Sequence, residues 1–168
     1  MKKLYGLLAL LAVLSSGCGF SDTGKKEVIR PAYLKEGDSI GIMTLSSALS
    51  ESTIRKADTL IDVVRSWGLK VKLGESLLKR DAVPFSATDK ERAEEFMRMI
   101  ENDNIKGIIF YRGGYGAIRT MEFIDFEKVR NHPKWILGFS DLTTLHLELS
   151  KNGIESIHGP MLSSFWKT

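Results

Sequence analysis

Between residues 39 and 158, short apolar runs alternate with segments whose apolar residues recur at helical spacing. This alternation constrains the fold most, because strands buried on both faces need a helical layer on each side. Residues 39–45 predict the first buried strand. Ile54, Ala57, Leu60, Ile61 and Val64 then mark one face of a helix that Gly68 stops. Residues 69–73 alternate apolar and basic, as a half-buried edge strand does. Thr88 and Glu91 form a capping box ahead of an apolar face made by Ala93, Phe96, Met97 and Ile100. Residues 105–111 predict the clearest buried strand, and residues 117–130 two short helical stretches. A strand over 135–139, a helix over 141–150 and a last strand over 155–158 complete the pattern. The expected fold is α/β, a mostly parallel open sheet of about five strands with helices on both faces.

The chain's start has a different character. Lys2 and Lys3 precede an apolar run over residues 4–14, and Ser15-Ser16-Gly17-Cys18 follows. That is a charged region, a short hydrophobic region and a small-residue cleavage site. The run is shorter than the roughly 20 apolar residues that span a bilayer. It resembles a bacterial lipoprotein signal, in which Cys18 is lipidated and anchors the protein in the cell envelope. Ser15 stands where leucine is most usual, and an ordinary secretory signal with an incidental cysteine is the competing reading. Residues 1–17 are expected to be the signal and residues 18–30 a polar tether. Cys18 is the one cysteine, so an intrachain disulfide and a cysteine-cluster metal site are excluded. The charge of +3 includes Lys2 and Lys3; without them 22 basic residues face 21 acidic ones. No basic stripe with interleaved aromatics points to nucleic acid.

Three predicted strand ends carry candidate chemistry, where open α/β sheets place their sites. The first is Gly138-Phe139-Ser140-Asp141. A serine on a sharp strand-to-helix turn projects its hydroxyl above the sheet, with backbone N–H groups behind it to hold an oxyanion. Leu142 replaces the second glycine of the usual nucleophile elbow, and spacing alone favours a helix-capping Ser140 or Asp141 over a nucleophile. The second is Arg112-Gly113-Gly114-Tyr115-Gly116, whose glycines let backbone approach a ligand. It lacks the third glycine of a dinucleotide fingerprint, where Arg119 stands, and the ending of a phosphate-binding loop. The third is Ser46-Ser47, for which capping the next helix is the favoured reading over anion binding.

Among the histidines, His132 sits in a polar loop, His146 on a helix six residues after Ser140, and His158 at the end of the last strand. A triad using His158 as base would need that imidazole within about 3 Å of the serine hydroxyl. No cluster has metal-ligand spacing, and no cofactor is expected.

Four segments together resemble the N-terminal domain of the serine LD-carboxypeptidases, the group that includes microcin C self-immunity peptidases. They are residues 31–38; residues 87–92; Arg112-Gly113-Gly114-Tyr115-Gly116; and residues 138–143, with His158-Gly159-Pro160-Met161 after them. The resemblance implies a nucleophile at Ser140 and oxyanion-hole N–H groups at Asp141 and Gly114. Arg112, Gly113, Tyr115 and Gly116 are the candidate substrate loop. It also implies release of D-alanine from the L,D bond of a murein tetrapeptide, and a homodimer. A peptidyl-nucleotide substrate stays open, as does a lipid-anchored module that binds muropeptides without cleaving them. The family's glutamate and histidine come from a C-terminal domain that is absent here. Residues 31–161 are the expected nucleophile-bearing domain and residues 162–168 the start of a linker, so this chain alone is expected to be nearly inactive.

Overall fold

The computed structural model describes residues 26–79 and 84–167. The expected signal, the expected lipidation site Cys18 and most of the expected tether lie outside the described residues. Residues 26–30 are pinned to the domain. Ile29 bridges Ile154, Arg30 pairs with Glu155 at 2.6 and 3.0 Å, and Lys26 pairs with Glu127 at 2.8 Å.

Five strands, β1 (Ser39–Met43), β2 (Lys70–Leu73), β3 (Ile105–Phe110), β4 (Trp135–Gly138) and β5 (Ile157–His158), form one sheet of order β2-β1-β3-β4-β5. Every pair is parallel. Each connection therefore crosses over, and the helices α1 (Glu51–Ile54), α2 (Ala57–Ser66), α3 (Asp89–Glu101), α4 (Phe126–Asn131) and α5 (Thr143–Lys151) supply the layers.

Side chains of period two split the core. Met43, Ile108, Phe110 and Ile136 face one layer, with Phe96 and Ile100 of α3, Val129 of α4, and Leu145 and Leu149 of α5. Ile40, Ile42 and Ile109 face the other, with Leu60, Ile61 and Val64 of α2. The capping box is present: Thr88 Oγ1 accepts from Glu91 N–H, and the Glu91 carboxylate accepts from Thr88 N–H at 3.0 Å.

Three elements differ from the expected pattern. The helix expected after β1 is broken at Arg55-Lys56 into α1 and α2. Residues Ala117–Phe123 form a 3-10 helix. The helix expected from residue 141 begins at Thr143, after a 3-10 turn over Ser140–Leu142. Beyond β5 the chain enters a 3-10 helix, Leu162–Lys167, in which Leu162 is fully buried against the α2 layer.

Candidate active site

The ends of β1, β3 and β4 converge at Ser140. Gly138 closes β4, and the chain turns at Ser140 with φ +60°, the one positive φ of a non-glycine among the described residues. A β-carbon in this left-handed region costs about 1–2 kcal/mol, so the surroundings must hold the turn in place. Ser140 is exposed, and its hydroxyl hydrogen-bonds to no other described residue.

The capping readings are corrected here. Neither Ser140 nor Asp141 caps: Phe139 and Leu142 occupy the cap positions of the turn and of α5, without a side-chain bond. Instead one Asp141 carboxylate oxygen accepts from Ser46 Oγ–H at 2.6 Å and from Ala117 N–H at 2.8 Å. That atom joins the end of β1, the glycine loop and the elbow. Ser46 and Ser47 do not cap α1 either, because Ser50 does, accepting from Thr53 N–H at 3.2 Å. Ser47 Oγ accepts from Tyr115 N–H at 3.2 Å, so both serines brace the loop opposite Ser140.

The glycine loop follows β3 and lies against the elbow. A β-carbon on Gly113 would stand 3.4 Å from Ser140 Cβ and 3.6 Å from Asp141 N. Gly114 has φ +134°, and a β-carbon there would overlap Ser47. Gly116 has φ +108°, with the Phe85 ring filling the place of a side chain. Among the described residues, the backbone N–H groups of Asp141 and Gly114 have no hydrogen-bond acceptor. Arg112 lies beside them, half-buried, its Nε donating to Gly113 O at 3.2 Å. Tyr115 is exposed and its ring is tilted against Phe85 at 6.1 Å.

Arg92 braces the loop from beneath. Its guanidinium is fully buried, with carbonyl oxygens of Ala87, Leu45 and Gly116 and the Asp89 carboxylate as acceptors. The Phe85 ring covers it, 5.0 Å from the guanidinium carbon to the ring centre. Burial lowers its pKa, and Asp89 opposes that shift.

The histidines are engaged elsewhere. His146 is buried, with Nε2 2.9 Å from Gly138 O and Nδ1 2.7 Å from Ser156 Oγ. The carbonyl can only accept, so Nε2 carries the proton and Nδ1 accepts a hydrogen bond from the Ser156 hydroxyl. Burial holds the His146 pKa below its usual 6.5, and the neighbouring His158 adds to that, against the Gly138 bond. His158 Nε2 lies 3.1 Å from Thr143 Oγ1. His132 pairs at 3.5 Å with Asp103, near the start of β3 and away from this edge. Arg92 and His146 are the site-shaping residues that spacing missed, while Ser46 and Ser47, named as a candidate strand end, brace the loop instead of capping. Arg92 had a trace in the segment 87–92, but nothing local marks its bond to Gly116.

A doubly wound α/β sheet with a left-handed serine at one strand end and a glycine loop at the next defines a hydrolase-type elbow site. The family described as LD-carboxypeptidase N-terminal domain matches residues 40–159, and the chain belongs to it. A protein of Bacillus subtilis (strain 168) described as a probable murein peptide carboxypeptidase is 35% identical over 136 residues, 80% of this chain and 41% of that protein. The microcin C7 self-immunity protein MccF of Escherichia coli is 30% identical over 132 residues, 78% of this chain and 38% of that one. Among solved structures, MccF in complex with aspartyl sulfamoyl adenosine aligns with a TM-score of 0.75 at 30% identity, over 80% of this chain and 40% of that one. The muramoyltetrapeptide carboxypeptidase from Oxalobacter formigenes aligns at 0.65 and 30%, over 74% and 40%. The chain thus spans about two fifths of the length of the relatives it matches.

Proposed function

We propose that this chain carries the nucleophile of a serine LD-carboxypeptidase that releases D-alanine from murein tetrapeptides. The observation that carries the reading is Ser140 at φ +60° on the strand-to-helix turn, exposed and with its hydroxyl unused by the described structure. In the proposed reaction Ser140 Oγ attacks the carbonyl carbon of the L,D bond while a base takes the hydroxyl proton. The carbonyl oxygen becomes an oxyanion held by the N–H groups of Asp141 and Gly114. Collapse expels the D-alanine amine, which takes up a proton, and water then hydrolyses the ester on Ser140. The base is supplied by another segment. Both His146 ring nitrogens are occupied, and the one bond of His158 runs to Thr143. The described residues therefore bring no histidine base to Ser140, and losing a triad base costs several orders of magnitude in rate.

The substrate reading rests on relatives described as murein peptide and muramoyltetrapeptide carboxypeptidases. The test fuses residues 26–168 to the C-terminal remainder of the Bacillus subtilis relative and measures free D-alanine from murein tetrapeptide. Release that disappears in Ser140→Ala is the expected result. A fusion that releases no D-alanine, or equal release from the alanine variant, refutes the proposal. A peptidyl-nucleotide given to the same fusion, with release of its nucleotide fragment as the readout, separates the two substrate classes. The engagement of His146 and His158 with other residues favours one second reading, a lipid-anchored muropeptide-binding module without catalysis. Tight binding of tetrapeptide by the unfused chain in calorimetry, unchanged in Ser140→Ala, would favour that reading. Lipid anchoring at Cys18 belongs to the same proposal and predicts fatty-acid labelling that Cys18→Ala abolishes.

A further inference from the structure

Arg112 lies just beyond the end of β3 and directly before Gly113, where the glycine loop meets the elbow. A β-carbon on Gly113 would stand 3.4 Å from Ser140 Cβ, so a side chain on the neighbouring residue is within reach of the nucleophile. The Arg112 guanidinium is kept at this point by its own loop, with Nε donating to Gly113 O at 3.2 Å. The side chain is half-buried. Among the described residues its two terminal nitrogens have no acceptor, and no carboxylate pairs with it. The other arginines of this region are engaged. Arg92 is fully buried against carbonyl groups and Asp89, and Arg119 pairs with Asp89 at 2.9 Å. Asp141 is bound to Ser46 and Ala117. Arg112 is thus a cation beside Ser140 whose end-on pair of N–H groups the fold itself does not use.

The proposed reaction calls for such a group. What distinguishes the last bond of a peptide from every internal one is the free carboxylate that follows it. From the scissile carbonyl carbon to that carboxylate carbon the path is C–N, N–Cα and Cα–C, a span of about 4 Å at most. Wherever Ser140 Oγ meets the carbonyl, the carboxylate therefore lies beside the same loop. The N–H groups of Asp141 and Gly114 serve the carbonyl oxygen and leave nothing for it. A carboxylate drawn out of water without a partner is costly, and a guanidinium fork matches it with two parallel charge-assisted bonds.

We propose that Arg112 is a specificity residue that binds the free α-carboxylate of the departing C-terminal residue and so confines cleavage to the last bond of the peptide. The Nε bond to Gly113 O presets the fork, leaving the terminal nitrogens to meet the carboxylate end-on. One loop then reads both ends of the leaving residue, the carbonyl oxygen before it through Gly114 N–H and the carboxylate after it through Arg112. The inference rests on the proposed reaction at Ser140.

The test is calorimetric binding to the fusion with the Bacillus subtilis remainder, carrying Ser140→Ala so that no substrate is consumed. The probes are murein tetrapeptide ending in D-alanine and the same peptide ending in D-alaninamide, which has the same size without the charge. The free acid is expected to bind about 10- to 100-fold more tightly than the amide. Adding Arg112→Met cuts that preference to about threefold or less by weakening the acid alone. Arg112→Lys keeps part of it, as a cation without the planar fork. A preference that survives Arg112→Met overturns the inference. Acid and amide weakened together also overturn it, because an arginine that only braces the loop would act on both. So does a fusion that binds neither peptide. The nucleophile is read separately, from D-alanine release by the fusion with Ser140 intact. No release, together with an acid preference that needs Arg112, would refute the reaction and leave the carboxylate site standing.

Discussion

Replacing Ser140 with glycine and, separately, with alanine isolates the strain at the elbow. The hydroxyl bonds to no described residue, so Ser140→Ala changes stability by no more than about 0.5 kcal/mol. Alanine keeps the β-carbon and with it the left-handed cost of about 1–2 kcal/mol at φ +60°. Glycine removes that cost but gives back about 0.5–1 kcal/mol, because it loses more backbone freedom on folding. The net expectation is that Ser140→Gly is about 0.5–1 kcal/mol more stable than Ser140→Ala. For a domain of this size that is about 1–4 °C in Tm. Urea titrations of both variants, with equal m-values, measure the difference. A glycine variant no more stable than the alanine variant would mean that the elbow is unstrained, and the argument from strain to function would fail.

Arg92→Met leaves the carbonyl groups of Leu45, Ala87 and Gly116 without their buried donor and should cost about 3 kcal/mol in urea unfolding. Gly114→Ala adds left-handed strain to an overlap with Ser47, for about 2–4 kcal/mol. Adding Ser47→Gly should recover the overlap part, and an unchanged midpoint in the double variant would refute the packing account. His146 has a folded pKa below its unfolded value near 6.5, so the unfolded chain binds the extra proton first. Its contribution is complete above pH 6.5 and is lost as pH falls from there through the lowered folded value. Tm should drop between pH 7 and 5 in the native chain and less in His146→Gln; equal slopes would refute it.

What the sequence made legible was local or periodic. The capping box at Thr88 needs only two residues three apart, and it is present. The buried strands are legible because parallel strands are apolar on both faces. The glycine loop is legible as a place of close backbone approach, and Gly114 and Gly116 take positive φ there. The misread positions are those whose partners lie far along the chain. Ser46, Ser47 and Asp141 have the composition of caps, yet their side chains bond across 68 to 95 residues. No window of local sequence carries that information. The 3-10 form of residues 117–123 has the same origin: its start is fixed by the Asp141 bond to Ala117 N–H. Ser140 itself is ambiguous in sequence, because an elbow and a cap use the same residue type at the same junction, and only the backbone angle separates them.

The most direct test of the central claim is mass spectrometry of the fusion with the Bacillus subtilis remainder, quenched in acid during turnover of murein tetrapeptide. The account predicts an adduct of the tripeptide acyl group on the peptide that contains Ser140, absent from Ser140→Ala, with one D-alanine released per adduct in the first turnover. An adduct on another residue, or D-alanine released at the same rate by Ser140→Ala, would contradict it.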